Sequence, residues 1–408
     1  MAEASPWLTI LGIGDDGLDS LTPPARTLFE QARTIIAPQR VLEKIDCGDR
    51  EVIAWTFGVK ETIALLKARR GTPVTVLATG DPMHFGIGAT LLRNLQATEM
   101  RVLPSPSAFS LAAARLGWPL QEVAAISLHG RSVHALAAQL FPGQRILALT
   151  STGRTVHEAA ALLRQHGYGR SALSVLEHMG GRAERCLRLT AAELDETERF
   201  ADFNTLAIEC LADAGSVPVG AVPGLPDQLF EHDGQLTKRE IRAVTLAHLA
   251  PRPAALLWDI GAGCGSVAIE WMRAAPGARA IAIEQKSERR ALIAANALAL
   301  GVPTLDIREG RAPEALAGLA PPDAVFIGGG LSDAALFDAL WPVLKAGGRL
   351  VANAVTVEGE ARLIALQAAH GGELVRMQIS RAEPVGRFHG WKPLMPVTLW
   401  SVRKEAAA

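Results

Sequence analysis

At 408 residues the chain exceeds the roughly 250 to 300 that one hydrophobic core supports, so at least two domains are expected. With 49% hydrophobic residues, 20% charged and a formal net charge of -1, it reads as an ordinary globular protein. That excludes a disordered chain and a general nucleic-acid binder, which needs a basic stripe to meet phosphates. The four cysteines, Cys47, Cys186, Cys210 and Cys264, form no Cys-x-x-Cys or Cys/His spacing, so reduced thiols and no metal site are expected. No basic n-region precedes the short apolar run from Trp7 to Ile13, and no charge-free stretch approaches the roughly 20 residues of a membrane span. A cytoplasmic protein without a membrane or nucleic-acid partner is the expectation.

In the first half, apolar runs at Leu8 to Ile13, Val74 to Ala78, Arg145 to Thr150 and Ala172 to Leu176 alternate with alanine- and leucine-rich helical periods, predicting an α/β domain over 1–211. The first run ends in Gly12-Ile13-Gly14-Asp15-Asp16-Gly17, followed by Leu21-Thr22. Helical pattern resumes only near Pro24, so this is no dinucleotide fingerprint, and alone it reads as an acidic turn. The second run leads into Thr79-Gly80-Asp81-Pro82-Met83-His84.

Between residues 212 and 226, three prolines and three glycines support neither a helix nor a central strand, so the linker is placed there. The second domain, 227–408, opens with a helix from about Lys238 to Leu249. Seven strand candidates follow, beginning near Ala255, Ala278, Thr304, Asp323, Gly348, Glu373 and Met395. Helical segments separate all but the last two, which predicts a parallel sheet covered on both faces with an antiparallel pair at its end. That is the plan of a Rossmann-like methyltransferase fold, a seven-stranded sheet with a reversed last strand.

Asp259-Ile260-Gly261-Ala262-Gly263-Cys264-Gly265-Ser266 closes the first of these strands and opens a helix. Glycines let a backbone approach a ligand closely, and the helix start presents unpaired N–H groups. The next apolar run ends in Glu284, nineteen residues beyond Gly265, where an acid accepts hydrogen bonds from ribose hydroxyls. An NAD site shares that acid. The spacing Gly-x-Gly-x-Gly, with Ser266 following, favours S-adenosylmethionine over a dinucleotide. Glu309-Gly310-Arg311-Ala312-Pro313 and Gly328-Gly329-Gly330 follow later strands; the triple glycine reads either as a platform for a planar ligand or as a flexible turn. Arg308, Arg311, Arg381, Arg387 and Lys392, with His389 and Trp391, lie on or near loops of this half. They are candidate carboxylate and substrate contacts, with Arg387 to Lys392 foremost, although any one of them reads more readily as a solvated loop charge.

Taken together, the two glycine motifs of the first half resemble the tetrapyrrole methyltransferases of the uroporphyrinogen methyltransferase type. In that family the first strand ends in a glycine-rich loop followed by Leu-Thr, and the third in Gly-Asp-Pro. Pro104-Ser105-Pro106-Ser107-Ala108-Phe109-Ser110 corresponds to its Pro-Gly-x-Ser-Ser region, while Asp15-Asp16 stands where Pro-Gly is more typical. The resemblance implies a two-lobed fold binding adenosylmethionine in a cleft, with Gly12, Gly14, Gly80, Asp81, Pro82, Ser107, Ser110, Thr150 and Glu177 to Gly180 at the wall. Asp81 is a charge partner for the cofactor or a cap after its strand, and His84 a candidate acid or base.

Nearly the whole chain resembles the two-domain decarboxylating precorrin methyltransferases of aerobic cobalamin biosynthesis, most closely at Gly224 to Phe230 and Leu236 to Ala243. The resemblance implies a reduced tetrapyrrole substrate, precorrin-6B, one adenosylmethionine per domain, C5 methylation by the first domain, and C15 methylation with loss of the ring C acetate carboxylate by the second. It places Thr237, Gly261 to Gly265, Glu284 and Ala312 at the cofactor and implies self-association. Catalytic residues are not fixed; His84, Arg311 and His389 are candidates. A cobalt-containing substrate of the same step stays open, as do an NAD-dependent oxidoreductase and a non-catalytic tetrapyrrole-binding module.

Overall fold

The computed structural model describes residues 6–55, 58–216, 219–331 and 333–405. It forms two compact units: Met1–Val133 with Phe141–Ser216, and His134–Leu140 with Val217–Ala408. Of the proline- and glycine-rich stretch 212–226, residues 217 and 218 lie outside the described residues; the rest carries no helix or strand.

The first unit holds two five-stranded sheets. One is built from β1 (Leu8–Ile13), β2 (Thr34–Pro38), β3 (Glu51–Trp55), β4 (Val74–Thr79) and β5 (Met100–Leu103), all parallel in the order β3-β2-β4-β1-β5. The other contains β6 (Val123–Ser127), β7 (Arg145–Leu149), β8 (Ala172–Glu177), β9 (Arg185–Thr190) and β10 (Asn204–Glu209), ordered β6-β7-β10-β8-β9 and antiparallel except for β6 against β7. This is the two-lobed architecture expected. The Gly-Asp-Pro motif, however, follows the fourth strand of the chain. Edge strand β3 carries two exposed residues, Glu51 and Val52, and gives little hydrophobic signal. Both glycine-bearing strands, β1 and β4, are central neighbours, buried on both faces as a covered parallel sheet requires.

The second unit is one seven-stranded sheet: β11 (Leu256–Ile260), β12 (Arg279–Glu284), β13 (Asp306–Glu309), β14 (Ala324–Ile327), β15 (Arg349–Ala354), β16 (Glu373–Met377) and, after a hairpin of β17 (Ser380–Val385) and β18 (Phe388–Pro393), β19 (Val397–Arg403). The order is β13-β12-β11-β14-β15-β19-β16, with β19 antiparallel to both its neighbours. The reversed last strand is as expected, but the hairpin replaces what the sequence reads as loop. Its faces are mostly solvated, so its alternation never shows as apolar periodicity.

Along β11 the side chains divide the core by the two-residue period of a strand. Leu257 joins Val267, Ile269 and Trp271 on one face, whereas Leu256, Trp258 and Ile260 pack with Leu336, Phe337 and Leu340 on the other. Chain order reverses direction outward from β11 and β14, and such a switch point leaves a crevice at the strands' carboxyl ends.

Candidate active sites in the two units

In the first unit the glycines are required by backbone crowding. A Cβ on Gly12 would lie 2.3 Å from both the Gly80 carbonyl oxygen and the Ser105 nitrogen, so the ends of β1 and β4 and the serine loop meet with no room for a side chain. Gly14 donates its N–H to Ser20 Oγ at 2.7 Å, and that hydroxyl donates to the Gly17 carbonyl at 2.6 Å, which folds the loop back on itself. Gly80 is left-handed, φ 68°, and a Cβ there would meet Ser107 Cα at 3.5 Å. Gly12, Gly80 and Ser105 to Ser107 therefore converge, although they are far apart in sequence.

Other first-unit candidates have structural partners. Asp81 Oδ1 accepts the Met83 N–H at 2.8 Å, closing a turn. Pro82 is buried and its carbonyl accepts the Ala89 N–H. Ser107 caps the helix Ala108–Leu116 by accepting the Ser110 N–H, and the two hydroxyls lie 3.0 Å apart. Thr150, buried at the end of β7, donates to Asn204 Oδ1 at 2.9 Å. His84 packs against Phe85 and the fully buried Phe109, with ring centroids 5.3 and 4.7 Å away.

The sequence reading missed a charged cluster. Asp15 Oδ1 meets Lys44 Nζ at 2.5 Å and its Oδ2 meets His178 Nδ1 at 3.1 Å, so the first loop of one sheet is tied to the end of β8 in the other. Arg40 donates to Thr79 Oγ1 at 2.7 Å and lies 4.0 Å from the centroid of Phe203. Two of its members were in view separately, Asp15 as an acid where a proline is more typical and His178 as a wall residue; their pairing with Lys44 was not.

In the second unit a cavity of about 850 Å³ opens at the carboxyl ends of the strands. Gly261, Ala262, Gly263, Cys264, Thr237, Glu284, Arg311 and Ala312 all line it, and so does the triple glycine. Gly261 is left-handed, φ 69°, and a Cβ would lie 3.1 Å from the Gly329 backbone, so the two glycine loops interlock. Gly263, also left-handed at φ 61°, has only the Gln235 carbonyl within 4 Å of its Cβ position, at 3.8 Å, so this side of the loop is open to the cavity. Glu284, buried at the end of β12, accepts the Gly263 N–H through Oε2 and the Lys286 N–H through Oε1, both at 3.0 Å. Each oxygen retains a lone pair, so the carboxylate is fixed in place and still open to two hydroxyl donors. This cradle fits the ribose and methionine ends of adenosylmethionine.

Two motif residues stand behind the cavity. Gly265 faces Ile293, whose Cγ2 would lie 2.9 Å from a Cβ; this glycine serves helix packing. Asp259 is 1% exposed; Oδ2 accepts the Ala268 N–H at 3.1 Å, while Oδ1 has no partner among the described residues. Burial, with a smaller contribution from the Glu284 charge, pushes its carboxyl up to about 7. Burial likewise raises the Cys264 thiol.

The segment from Glu231 to Lys238 forms a strap along the cavity that sequence reading found only at Thr237. Asn296, 1% exposed, binds both backbone groups of Glu231, at 2.8 and 2.9 Å, and the Cys264 carbonyl at 3.0 Å. The fully buried Arg242 donates to the Thr237 carbonyl, and its charge is met by Glu270 and Asp227. Arg289 reaches the strap at Asp233 and Gln235, each at 2.8 Å.

The candidate substrate cations are scattered. Arg311 lines the cavity beside Asp333 Oδ2 at 3.1 Å. Arg308 stands on β13, paired with Asp306, and lies outside the cavity wall. Arg381, on β17, is committed to Asp227 and Glu240 at 2.9 and 2.6 Å and so anchors the hairpin. Arg387 sits in the hairpin turn over Phe388, His389 and Trp391 are on β18, and Lys392 pairs with Glu383 at 2.8 Å; none of these lines the cavity. Among the described residues no group of three His, Cys, Asp or Glu side chains is placed to hold a metal, and no helix is long and apolar enough to cross a membrane.

A glycine turn between strand and helix, an acid ending the next strand and a reversed seventh strand define the second unit as a Rossmann-like methyltransferase. Residues 8–195 match the tetrapyrrole (corrin/porphyrin) methylases and residues 228–404 the precorrin methyltransferase domain. The chain is 48% identical over 404 residues to a precorrin-6Y C(5,15)-methyltransferase [decarboxylating] of Sinorhizobium sp, covering 99% of this chain and 98% of that one. It is 40% identical over 401 residues to the protein of that name from Mycobacterium tuberculosis (strain ATCC 25618 / H37Rv), covering 98% and 100%. A cobalt-precorrin-6B C(15)-methyltransferase (decarboxylating) of Salmonella typhimurium is 35% identical over 187 residues, 44% of this chain and 96% of that one. The chain belongs to the decarboxylating precorrin-6Y C(5,15)-methyltransferase family.

Proposed function

We propose that this protein methylates precorrin-6B at C5 and C15 and removes the carboxylate of the ring C acetate, giving precorrin-8X. The domain of residues 1–211 acts at C5, and the domain of 227–408 acts at C15 and decarboxylates. Each binds one adenosylmethionine, whose sulfonium supplies the electrophilic methyl group; the reading assigns no metal. Full-length relatedness supports the overall reaction. The division between halves is supported by the Salmonella relative, named for the C15 and decarboxylating steps alone, which aligns over 187 residues, a length close to that of the second unit.

The observation that carries the reading is the composition of the second-unit cavity. The glycine loop and Glu284 line it together with Val355, Ile379, Leu394, Met395 and Val397. Val355 and Met395 are 52% and 66% exposed, an apolar surface unusual beside so polar a turn. Glu284 fixes the ribose and the glycine backbone admits the methionine end, while the apolar wall takes a face of the macrocycle. Carbon methylation is an in-line displacement with a neutral leaving group, so holding the two carbons in near-attack geometry is the protein's main contribution. The same wall excludes water from the acetate carboxylate and so favours its departure as carbon dioxide, the C–C bonding pair passing into the protonated conjugated ring as electron sink. Arg311 anchors a peripheral carboxylate through its fork of N–H donors. His84 and His389 are not needed at this cavity.

We further infer a cytoplasmic homo-oligomer. The hairpin exposes Val385, Phe388 and Trp391 by 63%, 66% and 78%, and sedimentation of the intact protein tests it. The reaction itself is tested by mass analysis after incubation with precorrin-6B and adenosylmethionine, in parallel with its cobalt complex. The expected product gains two methyl groups and loses one carbon dioxide from the metal-free substrate; a single methyl gain with the acetate intact overturns the assignment of one half.

A further inference from the structure

Loss of carbon dioxide from an acetate side chain has a proton balance. The conjugated ring takes up a proton to receive the C–C bonding pair, and that proton ends on the side chain, so that the acetate carboxylate and one proton become a methyl group and carbon dioxide. A cavity that carries out this step needs a group able to give a proton. Among the described residues no histidine lines the second-unit cavity. Glu284 accepts N–H groups through both of its oxygens, and Cys264, 2% exposed, is part of the glycine turn. Arg289 and Arg311 are guanidinium groups, which keep their protons, and they face Asp233 and Asp333 at 2.8 and 3.1 Å. Lys238 remains.

Lys238 precedes the helix Arg239–Leu249 as its N-cap and lines the cavity together with Thr237 and Ile241, whereas Arg239 and Glu240 do not. Ile241 and Thr245 follow on the same side of the helix, and Thr245 Oγ1 lies 2.9 Å from Asn353 Nδ2, itself at the cavity wall. The first turn therefore faces the cavity. The helix runs against β15, because Arg349, at the start of that strand, donates to the His248 carbonyl at 3.1 Å while Asn353, near its end, meets Thr245. Its N-terminus thus reaches beyond the carboxyl end of β15, where Val355 enters the apolar wall. That end is three strands from β12 and Glu284, about 14 Å across the sheet. Unlike the two arginines, the Lys238 ammonium has no hydrogen bond or ion pair among the described residues, and it is not shielded from solvent. Its three protons are free for a ligand.

We propose that Lys238 is the general acid of the decarboxylation: its ammonium gives the macrocycle the proton that draws in the bonding pair of the departing carboxylate, and the amine regains a proton from solvent. This rests on the reaction proposed above. It gives the cavity two unlike cations for one substrate, a guanidinium at Arg311 that holds a carboxylate and an ammonium at Lys238 that can part with its proton.

Lys238→Arg tests the proposal, because it keeps the positive charge and removes the transferable proton. The full-length protein is incubated with precorrin-6B and adenosylmethionine, product mass and carbon dioxide are followed together, and S-adenosylhomocysteine affinity is measured by calorimetry. Carbon dioxide released per methyl group transferred is expected to fall about 100-fold, so that methylated product with its acetate intact accumulates, while S-adenosylhomocysteine affinity stays within about twofold. Lys238→Ala is expected to show the same fall and to regain carbon dioxide release with added ethylammonium, but not with tetramethylammonium, which has no N–H. This pair decides the matter if Lys238→Arg fails to fold, and absence of any difference between the two amines then overturns the proposal. An unchanged ratio of carbon dioxide to methyl transfer in Lys238→Arg overturns it directly. Equal losses in S-adenosylhomocysteine affinity and in carbon dioxide release assign Lys238 to the cofactor and overturn it as well. Failure of the underlying reaction shows instead in the unaltered protein, as absence of methyl gain or of carbon dioxide release.

Discussion

The two glycine loops are built by opposite means. In the second unit one continuous segment, Asp259 to Ser266, supplies strand end, turn and helix start, and an acid at the end of the next strand holds its middle glycine. In the first unit Gly12, Gly80 and Ser105 come from three segments that meet backbone to backbone, and none has a defined shape without the others. A site written in one segment is legible from spacing. A site made by convergence is legible only when all its segments are read together. Substituting within each site is therefore expected to have different consequences.

The largest effect is expected at Gly12. Gly12→Val drives a side chain into two backbone atoms 2.3 Å from its Cβ position, neither of which moves as a rotamer does. Its cost is expected to exceed about 5 kcal/mol, the range of severe lesions, and to abolish methylation at C5. Calorimetric unfolding of the intact protein, with product mass analysis, checks this. If C15 methylation and carbon dioxide release persist while the C5 methyl is lost, the units are energetically separate; if both reactions vanish, the two sites are not independent.

Asp259 gives the next largest effect, through pH. Its folded-state pKa of about 7 lies above the ordinary 3.8, so the folded state holds the proton more tightly than the unfolded chain. Its stabilising contribution is full below about pH 4 and is lost as pH rises through 7, by up to about 4 kcal/mol. Asp259→Asn is expected to flatten that decline and to leave the second unit more stable at pH 8. Urea denaturation at pH 5 and pH 8 measures it; an unchanged slope shows that Asp259 is ionised in the folded protein.

Glu284 tests the comparison at the ligand. Glu284→Gln retains the shape but leaves one accepting oxygen for the Gly263 and Lys286 N–H groups and the ribose together. S-adenosylhomocysteine affinity at the second unit is expected to fall about 10- to 100-fold, with the first unit's site unaffected. Two-site titration calorimetry separates them. Equal weakening of both sites contradicts the assignment of one cofactor to each unit.

These contrasts explain what was readable. The alternation of β11 to β15 with helices predicted the sheet, because buried parallel strands are continuous apolar runs. The pair β17 and β18 escaped, because a hairpin solvated on most of both faces keeps neither an apolar run nor a clean period. Arg381 illustrates the limit for sites. In sequence it is one basic residue among several near a loop, and only the fold brings Asp227 and Glu240, 154 and 141 positions away, to its guanidinium.

The smallest expected effect concerns Lys392. Its pair with Glu383 is solvent-exposed on both sides, so Lys392→Ala is expected to change stability by less than about 1 kcal/mol. Because Lys392 lies outside the cavity wall, its loss is also expected to leave the tetrapyrrole KM within about twofold, whereas Arg311→Met, at the wall, raises it about tenfold. Steady-state kinetics on the two variants settle which cations the substrate carboxylates meet. A raised KM for Lys392→Ala would mean that the hairpin folds over the bound macrocycle, and the second unit would then share with the first a site assembled from distant segments.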